Sequence, residues 1–140
     1  ATPKSAMPAP VAAAAPALAR APVIDPQAIE TLRELDEDGG MGLAHQLASS
    51  FIKLADENLL RMDDVLARGD AKALAQTAHS LKSSSANLGA RRLSACYRDL
   101  EQCAREGKLD AAAKLLAAVR SEQAQALDAL RDLLAMETTL

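Results

Sequence analysis

The distribution of proline limits what this chain can fold into. All six prolines lie within the first 26 residues, and the remaining 114 residues contain none. Because proline breaks helices by removing a backbone donor and clashing with the preceding turn, the proline-free part can form long helices. Hydrophobic residues make up 49% of the chain and aromatic residues only 1%. Since sandwiches and barrels need aromatic and β-branched side chains, this composition predicts an all-α fold.

Residues 1–24 differ from the rest of the chain. They are mostly alanine and proline, which cannot bury a core, and so they predict an extended or disordered linker. The apolar stretch inside this segment is interrupted by Pro16 and is too short to span a membrane, so we expect no direct membrane contact. Residues 25–140 are expected to form one domain.

Apolar spacing and glycines divide that domain into helices. A short first helix is predicted to begin at Asp25 and Pro26, and four long helices are predicted over about 42–68, 71–88, 90–106 and 110–136. Gly69 and Gly89 end two of the long helices, and Asp110 is expected to cap the last one. Loops of a few residues require antiparallel packing, so we expect an up-down four-helix bundle with a short additional N-terminal helix. The positions expected to face the core include Leu35, Leu54, Leu74 and Ser85.

The charge is unevenly distributed although the net charge is only -3. Residues 68–98 contain six basic residues and one acidic residue, whereas residues 25–67 contain ten acidic and three basic residues. A generally basic nucleic-acid binder is therefore excluded. The basic stretch indicates either a site for an anion or an acidic partner, or ordinary solvated helix charge, and charge alone leaves both open.

His79 lies in unusual surroundings on the third predicted helix. At 100° per residue it falls about 140° from the apolar seam, which places it on the solvent side. The small residues Ala75, Ser83 and Ala86 lie within one or two turns of it. Lys82 follows three residues later, on a neighbouring part of the helix surface. The helix therefore presents an imidazole beside an ammonium group, on a surface that otherwise carries small side chains.

This arrangement suits phosphoryl transfer. A free histidine titrates at about pH 6.5, so its neutral imidazole is a nucleophile at physiological pH. A surface of small side chains lets another protein bring a phosphoryl group in line with the ring, and a lysine offsets the charge of that group. The alternative interpretation of His79 is an ordinary surface histidine in an alanine-rich helix.

Residues 78–90, which read AHSLKSSSANLGA, resemble the signature of histidine-containing phosphotransfer (HPt) domains. The resemblance extends over about residues 25–135 and includes Leu100-Glu101 and Arg105-Glu106-Gly107. It implies that His79 is the phospho-acceptor and Lys82 the residue that stabilises the phosphate charge. It also implies that Ser83, where many members have glycine, admits the partner and that Gly89 closes the helix.

The same resemblance implies the partners. Such a domain receives a phosphoryl group from the aspartate of a receiver domain and passes it to another receiver. It has no ATP site, metal or other cofactor of its own, because the receiver supplies Mg²⁺. The basic stretch would then face the receiver's acidic pocket. Exposed apolar residues are expected to form the docking patch, and the partner-contact candidates are Ile52, Leu59, Lys72, Ala75, Ser83 and Ala86. Ile52, Leu59 and Ala75 could equally complete the core.

Two other functions are compatible with parts of the sequence. The dimerisation domain of a sensor histidine kinase usually has an acidic residue after its histidine and a proline five residues on, where this chain has Ser80 and Ser84. A helical-bundle adaptor that binds partners without phosphoryl transfer stays the main alternative. Cys96 and Cys103 are too far apart on one helix for a disulfide and are expected to be reduced core thiols.

The sequence also leads to expectations about the compartment, the parent protein and the oligomeric state of the domain. Reduced thiols favour a cytoplasmic compartment. The linker and the alanine at position 1 favour a module of a bacterial hybrid sensor histidine kinase, whose parent chain could be anchored in the inner membrane. A polar exterior favours a monomer.

Overall fold

The computed structural model describes residues 22–139, and it describes side chains as far as residue 135. This part of the chain forms five helices, which are α1 (Pro26–Leu35), α2 (Gly42–Ala67), α3 (Ala71–Asn87), α4 (Arg91–Arg105) and α5 (Leu109–Thr139). The predicted all-α bundle with a short first helix is confirmed. Apart from its last three residues, the predicted linker lies outside the described residues.

The four long helices form a closed bundle. Each packs against its neighbour in sequence, α2 also packs against α5, and the contact between α3 and α4 is the most extensive. The fully buried side chains come from all four long helices and include Met62, Leu74, Leu93, Leu100 and Leu130. None of the described helices has a stretch that is both long and apolar enough to cross a membrane.

Most helix ends follow the predicted capping residues. The Asp25 carboxylate accepts a hydrogen bond from the Gln27 N–H at 2.9 Å, with Pro26 at the first helical position. The predicted cap at Asp110 is wrong, because α5 begins one residue earlier. The Lys108 N–H closes the preceding turn onto the Cys103 carbonyl, and the Lys108 carbonyl already accepts from the Ala112 N–H, so Asp110 lies in the first turn.

Two predicted core positions are exposed. Leu35 is 68% exposed because α1 ends at this residue, beyond its contact with the bundle. Leu54 is 47% exposed and lines a surface groove between α2 and α3. Cys96 and Cys103 are free thiols that are only partly buried and pack against the core, so they are not full members of it.

A buried polar pair joins three helices of the bundle. The Tyr97 hydroxyl of α4 donates to the Gln123 side-chain carbonyl of α5 at 2.7 Å. The Gln123 amide in turn donates to the Ala55 backbone carbonyl of α2 at 3.4 Å. Since polar atoms in a core must be hydrogen-bonded, this pair fixes the register of the three helices.

Gly89 occupies a backbone conformation and a space that only glycine fits. Its φ is +82°, and its carbonyl accepts a hydrogen bond from the Asp25 N–H at 2.8 Å. A Cβ atom at this position would lie 2.8 Å from both the Asp25 carbonyl oxygen and the Ala28 Cβ. Gly69 also has a positive φ, of +72°, but a Cβ atom there would meet no atom within 4 Å.

These two glycines give a matched stability test. Gly69→Ala should cost about 1 kcal/mol, because an L residue is strained at positive φ. Gly89→Ala should cost at least about twice as much, because it adds a backbone clash to that strain. Urea unfolding followed by circular dichroism measures both losses. Equal losses would show that the contact between Gly89 and the start of α1 contributes nothing to the free energy of unfolding.

Candidate functional site

The structure places His79 on the exposed side of α3, with 57% of its side chain accessible. Ser83, Ala86 and Lys72 are also exposed on this helix. Of the two alternatives for Ala75, the structure favours a place in the core over a contact with the partner, because only 5% of the residue is accessible. The reason is that α3 lies between α2 and α4, so it buries a wider strip than the single seam assumed from the sequence.

A carboxylate from the neighbouring helix contacts both predicted site residues. Glu101 of α4 lies 3.0 Å from His79, measured between Oε2 and Nδ1. Its other oxygen, Oε1, accepts a hydrogen bond from the Lys82 Nζ at 2.8 Å. The Glu101 side chain is only 8% exposed, so this carboxylate is buried beneath the imidazole and the ammonium group.

Arg105 also contacts this carboxylate. One turn after Glu101 on α4, its Nε and Nη2 donate to Oε2 at 2.9 Å and 2.6 Å. Oε2 is therefore shared between His79 and Arg105, whereas Oε1 contacts Lys82. We call these four residues, His79, Lys82, Glu101 and Arg105, the Glu101 cluster.

The cluster keeps Glu101 ionised. Burial by itself would raise the pKa of the carboxyl group, but hydrogen bonds from Lys82 and Arg105 outweigh it. The Lys82 charge and the His79 hydrogen bond act in the same direction, and the resulting pKa is about 2. Glu101 is therefore a permanent anion at physiological pH.

The negative charge of Glu101 decides which nitrogen of a neutral His79 carries the proton. An ionised carboxylate can only accept hydrogen bonds, so Nδ1 of the ring must be the donor. The lone pair of the neutral imidazole is then on Nε2, and the ring is more than half exposed. The geometry therefore provides an oriented nucleophilic nitrogen.

A hydrogen bond between α3 and α4 holds the turn that carries Lys82. The Lys82 backbone carbonyl accepts from the Ser94 hydroxyl of α4 at 3.0 Å and from the Ser85 hydroxyl at 3.1 Å. Ser85 is buried, as its predicted core position requires. The Ser85 bond lies within α3, whereas the Ser94 bond joins the two helices and so helps to place His79 opposite Glu101.

The sequence did not reveal the role of Glu101. The residue falls within the HPt-like pattern, but it lies 22 positions after His79 and on another helix. Its contact depends on the register between α3 and α4, which no local spacing determines. One feature of the sequence does point to Glu101. It lies four residues before Arg105, and this spacing is typical of an ion pair on one helix face.

The basic stretch over residues 68–98 is mostly neutralised by acidic residues. The structure therefore favours ordinary solvated helix charge over a site for an anion or an acidic partner. Lys82 is the basic residue of this stretch that lies beside His79. The other ion pairs are Arg68–Asp64, Arg91–Asp25, Arg92–Glu122 and Arg98–Asp99.

The groove between α2 and α3 borders the exposed face of α3. It has a volume of about 190 Å³, and its lining includes Leu47, Phe51, Leu54, Ser80 and Ser84. By helix geometry, the exposed Ser83 lies between this groove and His79.

Two docking candidates lie away from this groove. Ile52 and Leu59 are partly buried and pack against the core. Leu59 lines a separate cleft between α2 and α5.

Comparisons with known proteins show the family to which the chain belongs. The family model described as Hpt domain matches residues 41–135. The crystal structure of histidine-containing phosphotransfer protein B (HptB) from Pseudomonas aeruginosa PAO1 is similar to the chain, with 32% sequence identity and a TM-score of 0.75. The match covers 83% of this chain and 97% of that chain. Comparison with curated protein sequences gave no match.

Proposed function

The chain belongs to the Hpt domain family and acts in histidine phosphotransfer within a phosphorelay, and from this premise we propose that His79 is its phosphoryl acceptor. The observation that supports this assignment is the contact between Nδ1 and Glu101, which leaves Nε2 as the free nucleophilic nitrogen. The other histidine, His45, is exposed on α2 and does not belong to the Glu101 cluster.

The transfer step follows from this geometry. The Nε2 lone pair attacks the phosphorus of an aspartyl phosphate on the receiver, so an N–P bond forms while the P–O bond to the aspartate breaks. The aspartate leaves as a carboxylate. The proton on Nδ1 stays in its hydrogen bond, and the ring becomes positively charged beside the Glu101 anion. The reverse step passes the phosphoryl group to a second receiver.

Lys82 supplies positive charge for the phosphoryl group. Its ammonium group has a single hydrogen bond to Glu101, and its side chain is 30% exposed. Because a lysine is a flexible point charge with three donors, it can turn from the carboxylate to a phosphoryl oxygen. We expect this movement to accompany the formation of the N–P bond.

Receiver domains are the partners of Hpt domains, and we propose that the exposed face of α3 and the adjacent groove form the docking surface. Ser83 and Ala86 are small and exposed, so a partner can approach the helix closely. The groove adds apolar contact area, to which the exposed Leu54 contributes. Lys72 lies on the same helix and offers a positive charge at the rim.

The groove gives a matched test of docking. Leu54 and Leu60 are both exposed leucines of α2, at 47% and 69%, but only Leu54 lines the groove. Leu54→Asp should weaken receiver binding by about tenfold, because it places a charge in an apolar contact. Titration calorimetry or surface plasmon resonance with the unphosphorylated receiver measures this change. Leu60→Asp should leave the affinity unchanged, and equal effects of the two variants would contradict this docking surface.

The proposal includes the predicted setting of the domain. We assign the Mg²⁺ of the reaction to the receiver, and we expect neither a cofactor of its own nor nucleic-acid binding. We expect a cytoplasmic domain because both cysteines are free thiols, and a monomer because the exterior is polar. Burial and the nearby Glu122 and Asp99 raise the pKa of the Cys96 thiol to about 11. Such a thiol stays protonated and unreactive.

A transfer experiment tests this function. The chain is incubated with a receiver that carries a radiolabelled phosphoryl group, and the label on the chain is tested for stability in acid and in base. Phosphohistidine predicts a label that is lost in acid and retained in base. If no receiver in a broad panel transfers label while at least one binds, the chain is an adaptor that does not carry phosphate.

A further inference from the structure

Arg105 is the member of the Glu101 cluster whose role the proposed mechanism leaves open. Its described contacts are with Glu101 and not with His79, and 57% of its side chain is exposed. Yet it donates two hydrogen bonds to the same carboxylate oxygen, Oε2 of Glu101, that contacts Nδ1 of His79.

The two oxygens of Glu101 contact different cations. Oε1 is bound by the single ammonium group of Lys82, and Oε2 is bound by two nitrogens of the planar Arg105 guanidinium. A hydrogen-bonded pair that uses two guanidinium nitrogens is harder to separate than a contact with one ammonium group. Lys82 is therefore the cation that can be released, and Arg105 is the one that stays.

Release of Lys82 would be costly without a second cation. The Glu101 side chain is 8% exposed, and a buried carboxylate that loses its counter-ion must become protonated or move towards water. Movement towards water would break the bond from the Nδ1–H of His79, and a protonated carboxyl group could donate to Nδ1 instead of accepting from it. The imidazole would then lose its orientation at the time when Nε2 reacts.

We propose that Arg105 is a positioning residue for phosphotransfer, which keeps Oε2 of Glu101 charged and in place against His79 while Lys82 turns to the phosphoryl group. This inference rests on the proposed role of His79 as acceptor. It divides the cations of the cluster between two tasks, since Lys82 serves the phosphoryl group and Arg105 serves the carboxylate.

The test uses the ring nitrogens of His79, whose ¹⁵N chemical shifts report which of them carries the proton. Lys82→Ala imitates a lysine that has left Glu101, and this variant should keep the proton on Nδ1 because Arg105 still holds Oε2. Adding Arg105→Ala should shift the ring towards a mixture of both tautomers. Adding Arg105→Lys instead should restore much of the Nδ1–H form.

Arg98→Ala is the matched control. Arg98 lies on the same helix, is 56% exposed, and pairs with Asp99 outside the cluster. Combined with Lys82→Ala, it should leave the tautomer of His79 unchanged. With Lys82 intact, Arg105→Ala should slow phosphoryl transfer from the receiver by roughly tenfold through a misplaced ring, and Arg98→Ala should leave the rate unchanged.

The outcomes separate this inference from the proposed function. If Lys82→Ala alone loses the Nδ1–H form, or if the Lys82→Ala and Arg105→Ala double variant keeps it, Arg105 does not have this role. Label that persists on His79→Gln would instead overturn the assignment of the acceptor. Circular dichroism on each variant shows whether the bundle is intact, so a folding defect is recognised separately.

Discussion

His79→Gln should reduce phosphoryl transfer from a receiver to background. The substitution removes Nε2, which is the nucleophile, and the other side-chain nitrogens of the Glu101 cluster belong to an ammonium and a guanidinium group, which have donors only. The fold should survive, because the His79 side chain is more than half exposed and an amide can still donate to Glu101. We expect a stability change of less than about 1 kcal/mol.

The chain provides its own control for this variant. It contains two histidines, and His45 is the other one. His45→Gln should accept label at the wild-type rate, which excludes a general effect of replacing a histidine by an amide. Unreduced label on the His79→Gln protein would contradict the account, as would a loss of label that is equal in the two variants.

Glu101→Gln should lower the stability of the bundle at neutral pH. A carboxyl group that titrates at about 2 in the folded chain and at 4.5 otherwise contributes about 3 kcal/mol at pH 7. The amide has no negative charge, so it leaves the ammonium group of Lys82 and the guanidinium of Arg105 close together without an anion. The same variant should slow phosphoryl transfer, because the positively charged ring formed in the reaction loses its counter-ion.

The pH dependence of this loss follows from the direction of the pKa shift. The pKa of Glu101 is lower in the folded chain, so its contribution is complete above the unfolded value of 4.5 and is lost as the pH falls towards about 2. The stability difference between wild type and Glu101→Gln should therefore be constant near pH 7 and shrink below about pH 4.5.

Urea unfolding at a series of pH values measures this difference. Asp99→Asn is the control, because Asp99 lies on the same helix and pairs only with the exposed Arg98 among the contacts described. That variant should change stability by less than about 0.5 kcal/mol. A Glu101→Gln difference that stays the same from pH 7 to pH 2 would show that the charge of Glu101 is not what stabilises the cluster.

The sequence predicts the helices well because their ends are local events. Asp25 and Asp70 accept hydrogen bonds from the first turns of their helices, and Gly69 and Gly89 provide the positive φ that closes the preceding ones. These features depend on residues a few positions apart. The exposure of His79 was predictable for the same reason, since it needs only the rotation per residue of one helix.

Features that depend on the register between helices were not predictable from local spacing. Glu101 meets His79 because α3 and α4 pack at a particular height, which hydrogen bonds such as that of Ser94 help to set. Ala75 is buried because a second neighbouring helix covers that side of α3. Likewise, Arg92 pairs with Glu122, which lies 30 positions later in the sequence. The sequence alone therefore does not show that much of the basic stretch is neutralised.

The position of the phosphoryl group on the imidazole tests the central claim most directly. The chain is labelled with ¹⁵N in its histidine rings, phosphorylated by a receiver, and examined by NMR for coupling between ¹⁵N and ³¹P. Because Glu101 holds Nδ1, we expect coupling to Nε2 of His79. Coupling to Nδ1, or to a nitrogen of His45, would contradict the account.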